Sequence, residues 1–274
     1  MGPICAGKSE GLLYSLSRWT DLPIAKWSWF KKRLEAGFML GVDPRTSVPG
    51  LWSLKPEDVL GLVFWTKNPT NLIEDAALLS GFPLVVHVTL TGWTEVEHGA
   101  PNIKWGLRRL QELVQVFGPE KVVWRFSPVP AVPDVVARFR TIAKEVEGIG
   151  LSQVYVAFLQ TNDLMPETRS LEVQQGLLCQ MADSTSLRVL VCNENRVLEG
   201  RKQMLPNLHY GVCEDGGRFT GNTLELPTEG CGCALAVDPF TINESCSMGC
   251  VYCYAADRSL AGERRDTTRL RVIP

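Results

Sequence analysis

Cys246-Ser-Met-Gly-Cys250-Val-Tyr-Cys253 sets three thiols at C-x3-C-x2-C spacing on one short stretch of chain. With nine cysteines in 274 residues, such a run arises by chance in roughly one sequence in a hundred. Thiolates are soft ligands that select zinc, copper(I) or iron–sulfur clusters, and a short loop lets consecutive sulfurs converge on one centre. A four-iron, four-sulfur cluster normally takes four cysteines. A local set of three therefore borrows a distant fourth or leaves one iron open to a substrate or cofactor, as catalytic zinc sites keep one position open.

With Tyr252 as its aromatic, the pattern C-x3-C-x-aromatic-C resembles the cluster loop of radical S-adenosylmethionine (SAM) enzymes. Further segments extend the likeness: Ser17-Arg-Trp-Thr-Asp-Leu-Pro23, Val63-Phe-Trp-Thr-Lys-Asn-Pro69, Val88-Thr-Leu-Thr-Gly92, Val123-Trp-Arg-Phe-Ser-Pro128 and Cys250-Val-Tyr-Cys-Tyr-Ala255. Together they resemble a largely uncharacterised radical-SAM-like family with its cysteines at the C-terminal end, whose name records an unknown function. The resemblance covers most of the chain and is nearly silent about substrate. It implies a 4Fe-4S cluster on Cys246, Cys250 and Cys253, with SAM on the open iron and a flavodoxin- or ferredoxin-like electron donor. For SAM itself it implies Tyr252 at the adenine through its backbone, Thr89 and Thr91 at the ribose, and Arg125 or Lys67 at the methionine carboxylate. Arg125-Phe-Ser-Pro128 also resembles a strand end of DNA photoproduct lyases, which sets nucleic acid beside a small molecule as a substrate class.

Most radical-SAM enzymes carry this loop after their first barrel strand, whereas here nearly the whole chain precedes it. In a closed or nearly closed ring of strands the first and last members are neighbours. Moving the cluster-bearing strand to the end of the chain therefore preserves the site. Ala234–Phe240 is the expected strand, with the tail 255–274 as its packing helix.

Four more cysteines gather late in the sequence: Cys192 at a strand end, Cys213, and the pair Cys231 and Cys233. Four thiolates make one complete ligand set, so a second, auxiliary 4Fe-4S cluster is expected, with zinc or no metal as the competing readings. Cys5 and Cys179 stand apart from both sets. Gly2-Pro-Ile-Cys-Ala-Gly-Lys8-Ser9 matches the phosphate-binding loop G-x4-G-K-[ST] letter for letter. That loop needs a buried strand before it and a helix after it; only Met1 precedes it and a strand-like run follows, so it is read as a decoy.

The elements that must position these groups follow from hydrophobic periodicity. Strands are expected at Leu12–Ser17, Gly61–Trp65, Leu84–Leu90, Lys121–Phe126, Val154–Leu159 and Leu187–Cys192. Helices are expected at Ile24–Ala36, Asn71–Leu79, Ile103–Phe117, Val135–Glu147 and Glu167–Ala182. Near-continuous apolar strands alternating with amphipathic helices imply an α/β fold, a (β/α) barrel or partial barrel of TIM type, with the cluster-bearing strand last. Gly37–Leu54 reads as an excursion or short hairpin, and Asn193–Gly232 as irregular. Barrel enzymes place their sites where the strands end. Ser17, Arg18 and Asp21, then Thr66, Lys67 and Asn68, then Arg125 and Ser127, then Gln160 and Thr161 are the polar groups there. Trp65, Trp124 and Tyr155 are candidates for stacking on adenine or substrate, with the core as their commoner fate.

The bulk numbers suit one soluble enzyme domain over residues 1–274, with a cysteine-rich segment at about 192–254. A net charge of −2 with 21% charged residues gives no general pull toward nucleic acid or membrane. No apolar run reaches the roughly 18 residues of a spanning helix, and the first residues lack a signal peptide's apolar stretch, so the expected location is cytoplasmic. A non-catalytic iron–sulfur electron carrier and a zinc-stabilised binding module are the alternatives to an enzyme.

Overall fold

The computed structural model of the protein describes residues 12–42, 48–158, 170–192, 195–198, 205–215, 218–219, 233–239 and 246–253. The strands are β1 (Leu12–Leu16), β2 (Phe38–Val42), β3 (Pro49–Ser53), β4 (Val59–Thr66), β5 (Leu84–Thr89), β6 (Val122–Val129), β7 (Gln153–Phe158), β8 (Arg188–Cys192) and β9 (Leu208–Gly211). The helices are α1 (Leu22–Ala25), α2 (Trp27–Ala36), α3 (Thr70–Glu74), α4 (Ile103–Phe117), α5 (Val135–Ile149) and α6 (Leu171–Asp183).

The protein is an α/β fold built on a seven-stranded sheet in the order β1-β4-β5-β6-β7-β8-β9, every neighbouring pair parallel. The order never reverses along the chain. Right-handed crossovers then put every connecting helix on the same face. Side chains alternate accordingly. Phe64 of β4, Val86 of β5, Trp124 of β6 and Val156 of β7 join one large core with Leu110, Phe139 and Leu178 of the helices. Residues one position away, Val63, Val85, Val123, Tyr155 and Leu190, form two smaller clusters that contain no residue of the six helices. This second face packs on itself and on loop residues rather than on helices, and is called the inner face.

Local signals explain the helices that frame the site. Asn102 caps α4 by accepting a hydrogen bond from the Trp105 N–H at 3.0 Å, which satisfies one of the donors a helix start leaves unpaired. The inward residues Gly106, Leu110 and Leu113 follow the helical period. A Cβ at Gly106 would stand 2.4 Å from Leu90 Cδ1, so the helix can sit this close to the end of β5 only without a side chain there.

Sequence and structure differ in a few places. The irregular stretch after Cys192 contains β9, a four-residue strand ending in glycine and too short for periodicity to reveal. The single helix expected over Ile24–Ala36 breaks at Lys26 into α1 and α2. The Asn71–Leu79 helix is α3 followed by a 3-10 turn at Ala76–Leu79. Other expectations hold: within Gly37–Leu54, β2 and β3 pair antiparallel, and Trp124 takes the core fate, stacked on Phe139 at 5.4 Å. The phosphate-loop decoy with Lys8, Cys5, Gln160, Thr161, Cys231, Phe240 and the tail 255–274 lie outside the described residues.

Candidate functional site

Parallel strands deliver their C-terminal ends to one edge, and β1 arrives there first. Tyr14 of β1 forms a parallel bridge with Val237; the Val237 N–H donates to Leu13 O at 2.8 Å and the Ser15 N–H donates to Val237 O at 2.9 Å. The segment thus runs beside β1 in the same direction. Its next residue, Asp238, reaches the end of β1, where its carboxylate accepts from the Ser17 hydroxyl (2.6 Å) and the Arg18 N–H (2.9 Å).

The cysteine loop 246–253 is docked on the connection between β5 and α4. Gly99 N–H donates to Met248 O (2.8 Å), Val251 N–H donates to Val96 O (2.9 Å), and Glu97 and Cys250 form an antiparallel bridge. A Cβ at Gly99 would stand 2.8 Å from two carbonyl oxygens of the loop, those of Ser247 and Met248. From the other side, the Asp21 N–H points at Cys246 Sγ, 3.4 Å away. Asp21 is itself buried, and its carboxylate accepts from the Thr66 hydroxyl and the Lys67 N–H, both at 2.7 Å. Burial dominates these bonds and raises its pKa to about 6.

Glu97 is the hub of this region. Its Oε1 accepts from the Thr91 hydroxyl at 2.7 Å and from the Tyr252 hydroxyl, and Lys67 Nζ lies 2.9 Å from it at an angle outside hydrogen-bond geometry. Three of the residues expected around SAM, Tyr252, Thr91 and Lys67, thus meet at one buried carboxylate. Sequence reasoning missed Glu97, one of two acids in a loop with no motif around them. Burial pushes the Cys250 thiol up to about 12, with Lys67 pulling it down and Glu97, Cys253 and Cys246 adding to the rise. Cys250 therefore senses both of the other loop cysteines.

The second set of thiols lies on the inner face of the sheet. Cys192 at the end of β8, Cys213 just after β9, and Cys233 are in sequence-distant contact: Cys192 Sγ to Cys213 Sγ is 3.1 Å and Cys213 Sγ to Cys233 Sγ is 3.4 Å. Arg125 of β6 reaches the same place, beside Cys192 and Cys213, with its guanidinium 4.9 Å from the Trp65 ring centre and 6.0 Å from that of Tyr155. Trp65 stacks on His87 at 4.5 Å. The two alternatives expected for the methionine carboxylate therefore lie apart, with Lys67 at the loop and Arg125 at the inner thiols. Thr89 is half-buried and pairs in register with Arg125 rather than reaching Glu97.

Donor chemistry at both places fits a soft metal, since each offers three thiols and no disulfide joins any of the seven described cysteines. As the side chains stand, no group of three or more His, Cys, Asp or Glu among the described residues converges on a metal position. Ligation at either place thus requires side-chain rotation.

Residues 13–255 match the family described as Domain of unknown function (DUF1848). The chain belongs to this family. No curated protein matches it. Among solved structures, morphinone reductase is similar at 16% identity and a TM-score of 0.37, over 72% of this chain and 60% of that one. The carboxyl transferase domain of Rhizobium etli pyruvate carboxylase is similar at 11% identity and a TM-score of 0.28, over 76% of this chain and 40% of that one. This member of the family thus spans less than two thirds of each, and at such low scores neither likeness carries an argument about its chemistry. No helix among the described residues is long and apolar enough to cross a membrane.

Proposed function

We propose that this protein is a radical SAM enzyme whose cluster loop is 246–253. The observation that carries the reading is the parallel bridge of Val237 to Tyr14, which sets the segment preceding the cysteine loop beside β1. That is the neighbour relation a permuted barrel requires. Closure of the ring is the finer fold reading, and the bond from Ala234 N–H to Glu214 O at 2.8 Å, just past β9, supports it.

Cys246, Cys250 and Cys253 would hold a 4Fe-4S cluster and leave one iron open. When bound, such a cluster supplies the electron for reductive cleavage of SAM to methionine and a 5′-deoxyadenosyl radical, which takes hydrogen from the substrate. The chain's own residues do the rest. Lys67 offers a cation at the loop for the methionine carboxylate, and Glu97 fixes Lys67, Thr91 and Tyr252 around it. Asp21 braces Cys246 from behind. The electron donor would be flavodoxin- or ferredoxin-like, and the substrate a small molecule or a nucleic acid.

Anaerobic protein reconstituted with iron and sulfide, then given dithionite and SAM, should release 5′-deoxyadenosine slowly without its true substrate. SAM should also change the reduced cluster's electron paramagnetic resonance signal. Protein that holds iron at the loop yet shows neither response is an electron carrier instead.

A further inference from the structure

The inner thiols pose a separate problem of charge. Arg125 carries a positive charge in any folded protein, and its Nη1 is enclosed with no hydrogen-bond partner. Its guanidinium meets two rings and two sulfurs, and the buried carboxylate of Glu214 feels its charge as well. Glu214 is shared with Arg18, so beside neutral thiols the guanidinium is only partly compensated, whereas beside thiolates it is paired directly. The surroundings are also rigid. His87 Nε2 donates to Cys213 O and the Tyr155 hydroxyl donates to Val212 O, both at 2.9 Å, so the backbone carrying Cys213 is held on both sides. A carbonyl only accepts, which fixes the imidazole proton on Nε2.

We infer that Cys192, Cys213 and Cys233 form a second thiolate site for a soft metal, iron in an iron–sulfur cluster or zinc, with Arg125 as its built-in counter-cation. The site is independent of what the cysteine loop binds. Without metal, Cys192 and Cys213 are held toward their protonated forms. Contact with Cys213 and then burial push Cys192 well above the thiol range; Cys213 is lowered by Cys192 but raised on balance to about 11 by Cys233 and burial. Each thiol that ligates releases its proton to solvent. Tetrahedral zinc at about 2.3 Å from each sulfur needs sulfurs about 3.8 Å apart. The contacts at 3.1 and 3.4 Å open by a few tenths of an ångström for zinc and further for a cluster, the direction in which mutual repulsion drives thiolates.

The test starts from the full chain carrying Cys246→Ala, Cys250→Ala and Cys253→Ala, so the fate of the loop reading does not enter. Prepared anaerobically and loaded in parallel with iron plus sulfide and with zinc, it is expected to hold one centre, read as about four irons with matching sulfide or about one zinc. Cobalt(II) should give thiolate-to-metal charge-transfer absorption in the same protein. Adding Cys192→Ser and Cys213→Ser should remove both signals. Arg125→Met should weaken metal binding in chelator competition by about 10–100-fold, and Arg125→Lys should restore most of it. Should the added serines unfold the chain, the cobalt spectrum of the loop variant and the Arg125 pair still decide. A loop variant that takes up neither iron nor zinc, and shows no sulfur-to-cobalt band, overturns the site. Unchanged affinity in Arg125→Met overturns the role of the arginine.

Discussion

The two groups of thiols are built in opposite ways. Cys246, Cys250 and Cys253 ride on one short stretch of chain, partly open to solvent, with charged neighbours at Asp21, Lys67 and Glu97. Cys192, Cys213 and Cys233 arrive on three separate segments and meet on the inner face of the sheet, with a guanidinium and aromatic rings around them. Local spacing sets the first group, and strand order sets the second. An open, charged surround suits a site that must admit a polar cofactor. A packed aromatic surround with one fixed cation suits a centre that never exchanges its ligands.

Perturbing each surround in turn tests that division. Cys250→Ala should give the largest effect, complete loss of SAM cleavage and of the loop's iron, checked by 5′-deoxyadenosine release and iron analysis. Inner-site metal should remain. Glu97→Gln comes next. It strips the partner from Lys67, whose side chain is only 11% exposed, and breaking a buried pair costs about 3–5 kcal/mol. Denaturant unfolding should show that loss, together with weaker SAM binding and unchanged inner-site metal. Arg125→Met should reverse the pattern, with SAM binding intact and inner-site metal weakened; a loss of SAM binding there would return Arg125 to the carboxylate role that sequence suggested. Lys31→Ala is the baseline. The Lys31–Asp75 pair is on the surface, so its removal should cost less than about 1 kcal/mol and touch neither site.

What could be read in the sequence follows the same division. α4 is legible from end to end, because Asn102 and Gly118 punctuate a clean amphipathic stretch. The cysteine loop is legible because its thiols are near in sequence. Arg125 is legible as an inward residue, since it alternates with Trp124, but alternation does not say which strands it faces across the sheet. Its neighbours come from β4, β7, β8 and the loop after β9, and β9 itself is a four-residue strand without a pattern. Glu97 was hidden for a related reason. Its meaning comes from Thr91, Lys67 and Tyr252, the last of them 155 positions away.

The docking of the cysteine loop also has a meaning in time. Asp21 and Cys246 are 225 positions apart, and Ser17 and Asp238 are 221 apart. Contacts of such span carry a large loop-closure cost and form late. Every surface the loop rests on is made earlier on the ribosome than the loop itself. The three thiols are therefore the last part of the site to find their seats, and any metal that joins them would meet a scaffold already standing. Gly99 guards that final step. Its N–H is bonded to Met248 O, and a Cβ there would crowd the carbonyls of Ser247 and Met248, so one added methyl would leave the sheet intact and the loop with nowhere to land.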